Sequence, residues 1–318
     1  MKGLTDIPGI RVGHVSDFGA ITGCTVVLCE QGAAAGVDIR GSASGTQEIA
    51  TLDPGHITDQ IHGVVLAGGS AFGLEAASGV RRYLERRGIG YATGAAKVPI
   101  VPAAILYDLG IGRADVRPSL AMGEAAAAAA TAEAVKEGCV GAGTGATVGK
   151  LFGMKQAMKS GLGSFTVTLP DGVLVSSLVA VNALGDVRDP STGQIVAGAR
   201  RSADSREFAD TEEQMKRGMR GGRAISHTTL AVVATNARLS KVQATKLAQM
   251  AGLGMARAIY PVNTMFDGDI VFGLSLGEHA ADINMLGIAA SEAVVQAILR
   301  AVKLAKTMGG VPGLESSK

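Results

Sequence analysis

Residues 225–236 read ISHTTLAVVATN, and the fold turns on how the two threonines in this stretch are read. Thr228 and Thr229 run into an apolar, β-branched segment, the composition of a buried or half-buried strand. A Thr-Thr pair at the head of a strand ordinarily just fills the pleat. It becomes reactive if the chain is cut in front of it. Cleavage between His227 and Thr228 frees an α-amino group beside the Thr228 hydroxyl, and that amine can act as the hydroxyl's own general base. Its ordinary pKa of about 7.7–8.0 suits the task near neutrality.

Working outward, residues 228–235 read as a strand, followed by a Ser240-capped helix (240–258) and a loop (261–269). A strand (270–277) and a C-terminal helix (roughly 285–307) complete the unit. Upstream, 185–223 is polar, charged and Gly-containing, with at most one short helix near Thr211–Met219. Such a weakly patterned stretch points to a functional loop, a linker or a mobile segment. Before it, 164–182 reads as a hairpin turned at Pro170-Asp171-Gly172. Residues 23–29 form a buried strand. Residues 61–88 form a strand, a Gly-Gly-Ser turn and an amphipathic helix N-capped by Ser70. The Ala-rich run 119–138, closed by Gly138, is the strongest helix signal.

Composition narrows the class. The chain has 318 residues, 47% hydrophobic and 18% charged, which fits a compact, soluble protein, and it is read as one domain over 1–318. Its 45 glycines and 3% aromatics imply tight turns and close packing of small side chains. A net charge of +2 without basic runs argues against a nucleic-acid partner. No stretch reads as a signal peptide or membrane span, so a cytoplasmic location is expected. Cys24, Cys29 and Cys139 lack metal-like spacing and read as reduced core thiols.

Several motif readings fail on spacing. The segment VGAGTGATVGK (140–150) has Thr144 where a phosphate loop needs Gly, and Leu151 where it needs Ser or Thr. Val148 stands where a dinucleotide fingerprint needs its third Gly. GGSAFG (68–73) is not a serine-hydrolase elbow. His14, His56, His62 and His279 share no spacing, so no metal is assigned. Asp267 and Asp269 fit an Asx-turn opening a strand, or an acidic pair that shares protons with an amine. Lys159 and Asn182 fit a solvated lysine and a turn residue, or a cation that lowers the amine's pKa and an oxyanion donor. Gly69 and Ser70 could offer backbone N–H groups to an oxyanion or substrate, or simply start a helix.

Taken together, the ordered segments LTDIPGIRVGH (4–14), VDIRGSASGT (37–46), LAGGSAFGL (66–74), VPIVPAAILYDL (98–109), GAGTGATVGK (141–150), VAVNALGDVRDPSTG (179–193), HTTLAVVATNA (227–237) and FDGD (266–269) carry a resemblance. The chain resembles the L-aminopeptidase/D-esterase and β-aminopeptidase family, which includes nylon-oligomer endo-hydrolases. The resemblance implies an α+β, four-layer αββα sandwich similar to ornithine acetyltransferase, usually a tetramer. It also implies self-cleavage into 1–227 and 228–318. Carried over, Thr228 is the nucleophile, Asp267 and Asp269 the acidic pair, Asn182 the supporting asparagine and Lys159 the supporting lysine. Lys150 and Lys155 stand near enough in sequence to compete with Lys159. His227 stands before the cut, where relatives carry Asn or Gly.

The expected function is a cofactor-free amidohydrolase acting on short peptides or amino-acid amides. The rivals are endo-hydrolysis of linear amide oligomers, acetyl transfer of the ornithine acetyltransferase type, and a scaffold that never processes.

Overall fold

The computed structural model describes residues 1–220 and 227–315. The last residues of the polar segment 185–223, and Ile225 and Ser226 of the opening stretch, lie outside them. The main strands are β1 (Arg11–Asp17), β2 (Thr22–Ile39), β3 (Ile61–Ala67), β4 (Ala103–Ile105), β5 (Leu162–Thr168), β6 (Leu174–Asn182), β7 (Thr228–Ala237) and β8 (Ile270–His279). The helices are α1 (Ala76–Arg86), α2 (Leu120–Ala128), α3 (Thr211–Lys216), α4 (Lys241–Ala258) and α5 (Ile283–Lys303).

The strands run in the order β5-β6-β7-β8-β2-β3-β4, with β1 also paired to β2. Most neighbours are antiparallel, but β7/β8 and β3/β4 are parallel. β2 is the joint of the fold. Its first half pairs with β1 and β3, its second half with β8, and the register with β3 shifts between Leu28 and Ala33. Gly32, at φ +93°, supplies the backbone conformation that this shift needs.

Alternation along each strand sorts side chains into three apolar cores. On β7, Leu230, Val232 and Ala234 point one way and Ala231 and Val233 the other. The first set meets Phe272 and Leu274 of β8, Val64 and Leu66 of β3, and Val27 of β2. The second packs under Leu247, Ala251 and Met255 of α4 and Leu286, Ala290 and Val294 of α5. A third core sets Cys24, Val26 and Leu28 of β2 and Val65 of β3 against Val80 and Leu84 of α1 and Ala126 of α2. The result is a mixed α+β fold. All three cysteines are buried and free, and α5 is apolar but 72% buried over its most hydropathic window, as in a core helix.

Local signals hold where tertiary contacts agree with them. Ser240 caps α4 through a reciprocal box with Gln243, and the hairpin turns at Pro170–Gly172. Three expectations change. The helix expected over 119–138 ends at Ala128, because Thr131 pairs with Val12 in both directions and the Val135 N–H donates to the Lys2 carbonyl. Tertiary pairing there overrides alanine's propensity. Ser70 is not a side-chain cap; it sits at φ +54° and opens a 3₁₀ turn, Ser70–Glu75. The segment after 185 is tied down by buried Asp186, which accepts from the Ala199 and Thr211 N–H groups and from the Thr211 hydroxyl.

Helices α1 and α2 meet through two glycines. A Cβ on Gly79 would strike the Leu120 carbonyl, and one on Gly123 the Ala76 carbonyl. Both neighbours are backbone and cannot swing aside. Gly79→Ala or Gly123→Ala is therefore expected to lower stability by about 1–3 kcal/mol through overpacking. Urea unfolding checks this, and an unchanged midpoint for both variants contradicts it.

Candidate active site

Strand register brings the site together. Antiparallel pairing sets Asn182, the last residue of β6, opposite Thr228, the first of β7. Parallel pairing sets Leu230 opposite Ile270, so the DGD turn before β8 lies beside His227 and Thr228. His227 itself bridges Asp267: its N–H donates to the Phe266 carbonyl at 2.9 Å, and the Gly268 N–H donates to the His227 carbonyl at 2.6 Å.

Thr228 is fully buried, and its Oγ1 has no hydrogen-bond partner among the described residues. Gly268 leaves room for it, since a Cβ there would lie 2.7 Å from Thr228 Oγ1 and 2.7 Å from the Ala43 carbonyl. The 40–43 segment closes this wall, with the Arg40 N–H donating to the Asp269 carbonyl (3.1 Å) and the Ala43 N–H to that of Asp267 (2.8 Å).

The two acids are anchored differently. Asp269 accepts from the Thr229 N–H (2.6 Å) and the Asn263 N–H (2.9 Å). Asp267 accepts from the Thr264 N–H and hydroxyl through Oδ2. Its Oδ1 is buried with no hydrogen-bond partner among the described residues, although the Leu184 N–H favours the charged carboxylate. Burial pushes the Asp269 carboxyl up to about 7, with the neighbouring Asp267 adding to the rise. Burial likewise raises Asp267.

The lysine beside Asn182 is Lys150, not Lys159. Lys150 Nζ donates to the Asn182 side-chain oxygen (2.7 Å) and backbone carbonyl (2.9 Å). Burial lowers its pKa to about 7, against the opposing pull of Asp267, Asp108 and Asp269. Lys159 turns away and donates to the carbonyls of Gly143, Ala146 and Ser160. Asn182 Oδ1 also accepts from the Thr147 N–H (3.1 Å), while Nδ2 donates to the Tyr107 carbonyl (3.0 Å). The donors around Oδ1 fix the amide's orientation.

His227 is buried, and its Nδ1 has no partner among the described residues. Burial, and secondarily Lys150, keep its imidazole neutral. The structure does not bring Gly69 and Ser70 into use as oxyanion donors. Their N–H groups are engaged by the Asp108 side chain and the Leu106 carbonyl. A cavity of about 60 Å³ opens against Lys150 and Thr147, bounded by Tyr107, Asp108, Ile111 and Met154. Among the described residues, no group of three His, Cys, Asp or Glu side chains converges as metal ligands do.

Sequence reasoning preferred Lys159 and held Lys150 only as a competitor, and it missed Tyr107 and Gly268 as site components. Each lay inside a quoted motif: Lys150 ends GAGTGATVGK, Tyr107 belongs to VPIVPAAILYDL, and Gly268 is the centre of FDGD.

The raised Asp269 pKa has a definite sign. Its folded value lies above its unfolded one, so the folded state holds the proton more tightly. Its contribution to stability is present below about pH 4 and is lost as pH rises toward about 7. In an uncleavable Thr228→Ala chain, adding Asp269→Asn should reduce the fall in melting temperature between pH 4 and 7. An identical slope with and without Asp269→Asn contradicts this.

Comparison with known proteins places the chain. The model of Peptidase family S58 matches residues 2–316. An uncharacterized aminopeptidase of Mycobacterium tuberculosis is 36% identical over 340 residues, covering 98% of this chain and 96% of that protein. A 6-aminohexanoate-oligomer endohydrolase of a Kocuria species is 32% identical over 314 residues, covering 94% and 85%. Among solved structures, an L-aminopeptidase D-Ala-esterase/amidase from Ochrobactrum anthropi, described as a variant of the Ntn hydrolase fold, superimposes with a TM-score of 0.74. The identity is 20%, covering 98% of this chain and 88% of that one. A Burkholderia β-aminopeptidase gives 0.69 at 23% identity, covering 99% and 91%. The protein is a hydrolase belonging to peptidase family S58.

Proposed function

We propose that the chain is a self-processing threonine aminopeptidase that acts on short peptides or amino-acid amides. One observation carries the reading: a buried Thr228 hydroxyl, unpartnered among the described residues, follows a His227 carbonyl that already accepts a 2.6 Å bond from Gly268. That bond polarises the carbonyl and can hold the oxyanion formed there. In the precursor, Thr228 Oγ1 adds to the His227 carbonyl carbon and the C–N bond breaks. The hydroxyl proton ends on the Thr228 nitrogen, leaving an ester. Water then hydrolyses the ester, separating 1–227 from 228–318.

In the mature site the freed amine takes the hydroxyl proton as Thr228 attacks a substrate carbonyl, then delivers it to the leaving amine. Asp269, held by the N–H of Thr229, is suited to orient that amine. Asn182 has a second N–H beyond the one given to Tyr107, and it can serve the oxyanion. Lys150 locks the Asn182 amide and supplies positive charge nearby. The order of the three cores supports a four-layer αββα reading, a helix pair outside each sheet, similar to the ornithine acetyltransferase scaffold. Hydrolysis of linear amide oligomers is the second reading, favoured by the 32% identical 6-aminohexanoate-oligomer endohydrolase.

Thr228→Ala is expected to stay a single chain on a denaturing gel and to lose hydrolysis of amino-acid anilides. Lys150→Met should slow self-cleavage at least tenfold, because Asn182 loses its charged partner. Lys159→Met should instead lower thermal stability, since the carbonyls of Gly143, Ala146 and Ser160 each lose one of their donors. A Thr228→Ala chain that still splits between residues 227 and 228, or a Lys150→Met chain that matures at the normal rate, contradicts the proposal.

A further inference from the structure

The backbone of the residue in front of the scissile bond is gripped from both sides: the Phe266 carbonyl takes its N–H and the Gly268 N–H holds its carbonyl. Self-cleavage passes through an ester in which Thr228 Oγ1 carries residue 227 as its acyl group. The acyl-enzyme formed from a substrate is the same ester with another acyl residue in that place. We propose that the Phe266 carbonyl and the Gly268 N–H are the seat of the substrate's acyl residue, which docks as a one-residue parallel strand addition. The seat therefore selects acyl groups that carry an N–H on the α-carbon. This rests on Thr228 being the nucleophile.

The consequence is a ranking of substrate classes. An α-aminoacyl group places its nitrogen where the His227 nitrogen sits and donates to the Phe266 carbonyl. A β-aminoacyl group carries its nitrogen one bond further out. A 6-aminohexanoyl group, like a simple fatty acyl group, offers only CH₂ at that position. A substrate that lacks this donor leaves the Phe266 carbonyl without the bond that the His227 N–H makes to it in the precursor. The loss is then that of one charge-assisted hydrogen bond, about tenfold or somewhat more in rate. The chemistry is that of the proposed reaction: Thr228 Oγ1 takes the acyl group, the arylamine leaves with the proton relayed by the Thr228 amine, and water releases the acid.

The test uses the purified chain and three p-nitroanilides: L-alanyl, β-alanyl and propionyl. kcat/KM is measured for each, and intact mass is recorded on the same sample. The expected result is a cleaved protein that prefers L-alanyl over propionyl by about tenfold or more, with β-alanyl below L-alanyl. A cleaved, active protein that handles L-alanyl and propionyl within threefold of each other, or that prefers β-alanyl, overturns the seat while leaving Thr228 as nucleophile. Cleaved protein that turns over none of the three also overturns the seat. A single uncleaved mass without turnover overturns both the seat and the proposed function.

Discussion

Parallel pairing of β7 with β8, in the register that sets Leu230 against Ile270, is the constraint on which the site rests. A parallel pair cannot be joined by a tight turn, and here α4 makes the crossover. Extending that register backwards puts Asp269 beside the Thr229 N–H and the Gly268 N–H on the His227 carbonyl. A slip of one residue would turn Leu230, Val232 and Ala234 out of the central core and into the α4/α5 core. The packing of both cores therefore fixes where the Thr228 hydroxyl lies. Stability and chemistry draw on the same alternation of side chains.

The site is costly to hold. Asp108, Lys150, Lys159, Asp267 and Asp269 are all buried, and each charged group removed from water costs several kcal/mol before its partners offset that. Much of the cost is met by backbone groups, three carbonyls for Lys159, two N–H groups for Asp269 and the Asn182 carbonyl for Lys150, with the Asn182 side-chain oxygen adding a second acceptor for Lys150. Among the described residues, four buried side-chain atoms around the scissile bond have no hydrogen-bond partner, His227 Nδ1, Thr228 Oγ1, Thr229 Oγ1 and Asp267 Oδ1, at about 1–3 kcal/mol each. What sets Thr228 apart from Thr229, whose hydroxyl is equally unbonded, is its place directly after the His227 carbonyl that accepts from the Gly268 N–H.

Elements whose signals are local were legible in the sequence. The Ser240 capping box, the Pro170-Asp171-Gly172 turn and the strand at 228 each follow from residues within a few positions of one another. Assigning the lysine was harder for a physical reason. Residues Thr147–Val148 and Met158–Lys159 pair as a small hairpin, with Lys159 opposite Thr147. Both lysines thus belong to one Gly-rich hairpin region, and only its tertiary path sends Lys150 to Asn182 and Lys159 to the Ala146 carbonyl. The Ala-rich run misled in the opposite sense, since strong propensity hid the pairing of Thr131 with Val12. Gly268 was invisible as a donor because its role belongs to its backbone. Spacing reveals side chains, not the direction of an N–H.

The intact mass of the freshly purified wild-type chain under denaturing conditions tests the central claim most directly. Two polypeptides, the smaller beginning TTLAVV at Thr228, are what the polarised His227 carbonyl and the free hydroxyl predict. One persistent species at 32.1 kDa, unchanged on prolonged incubation, would contradict the account.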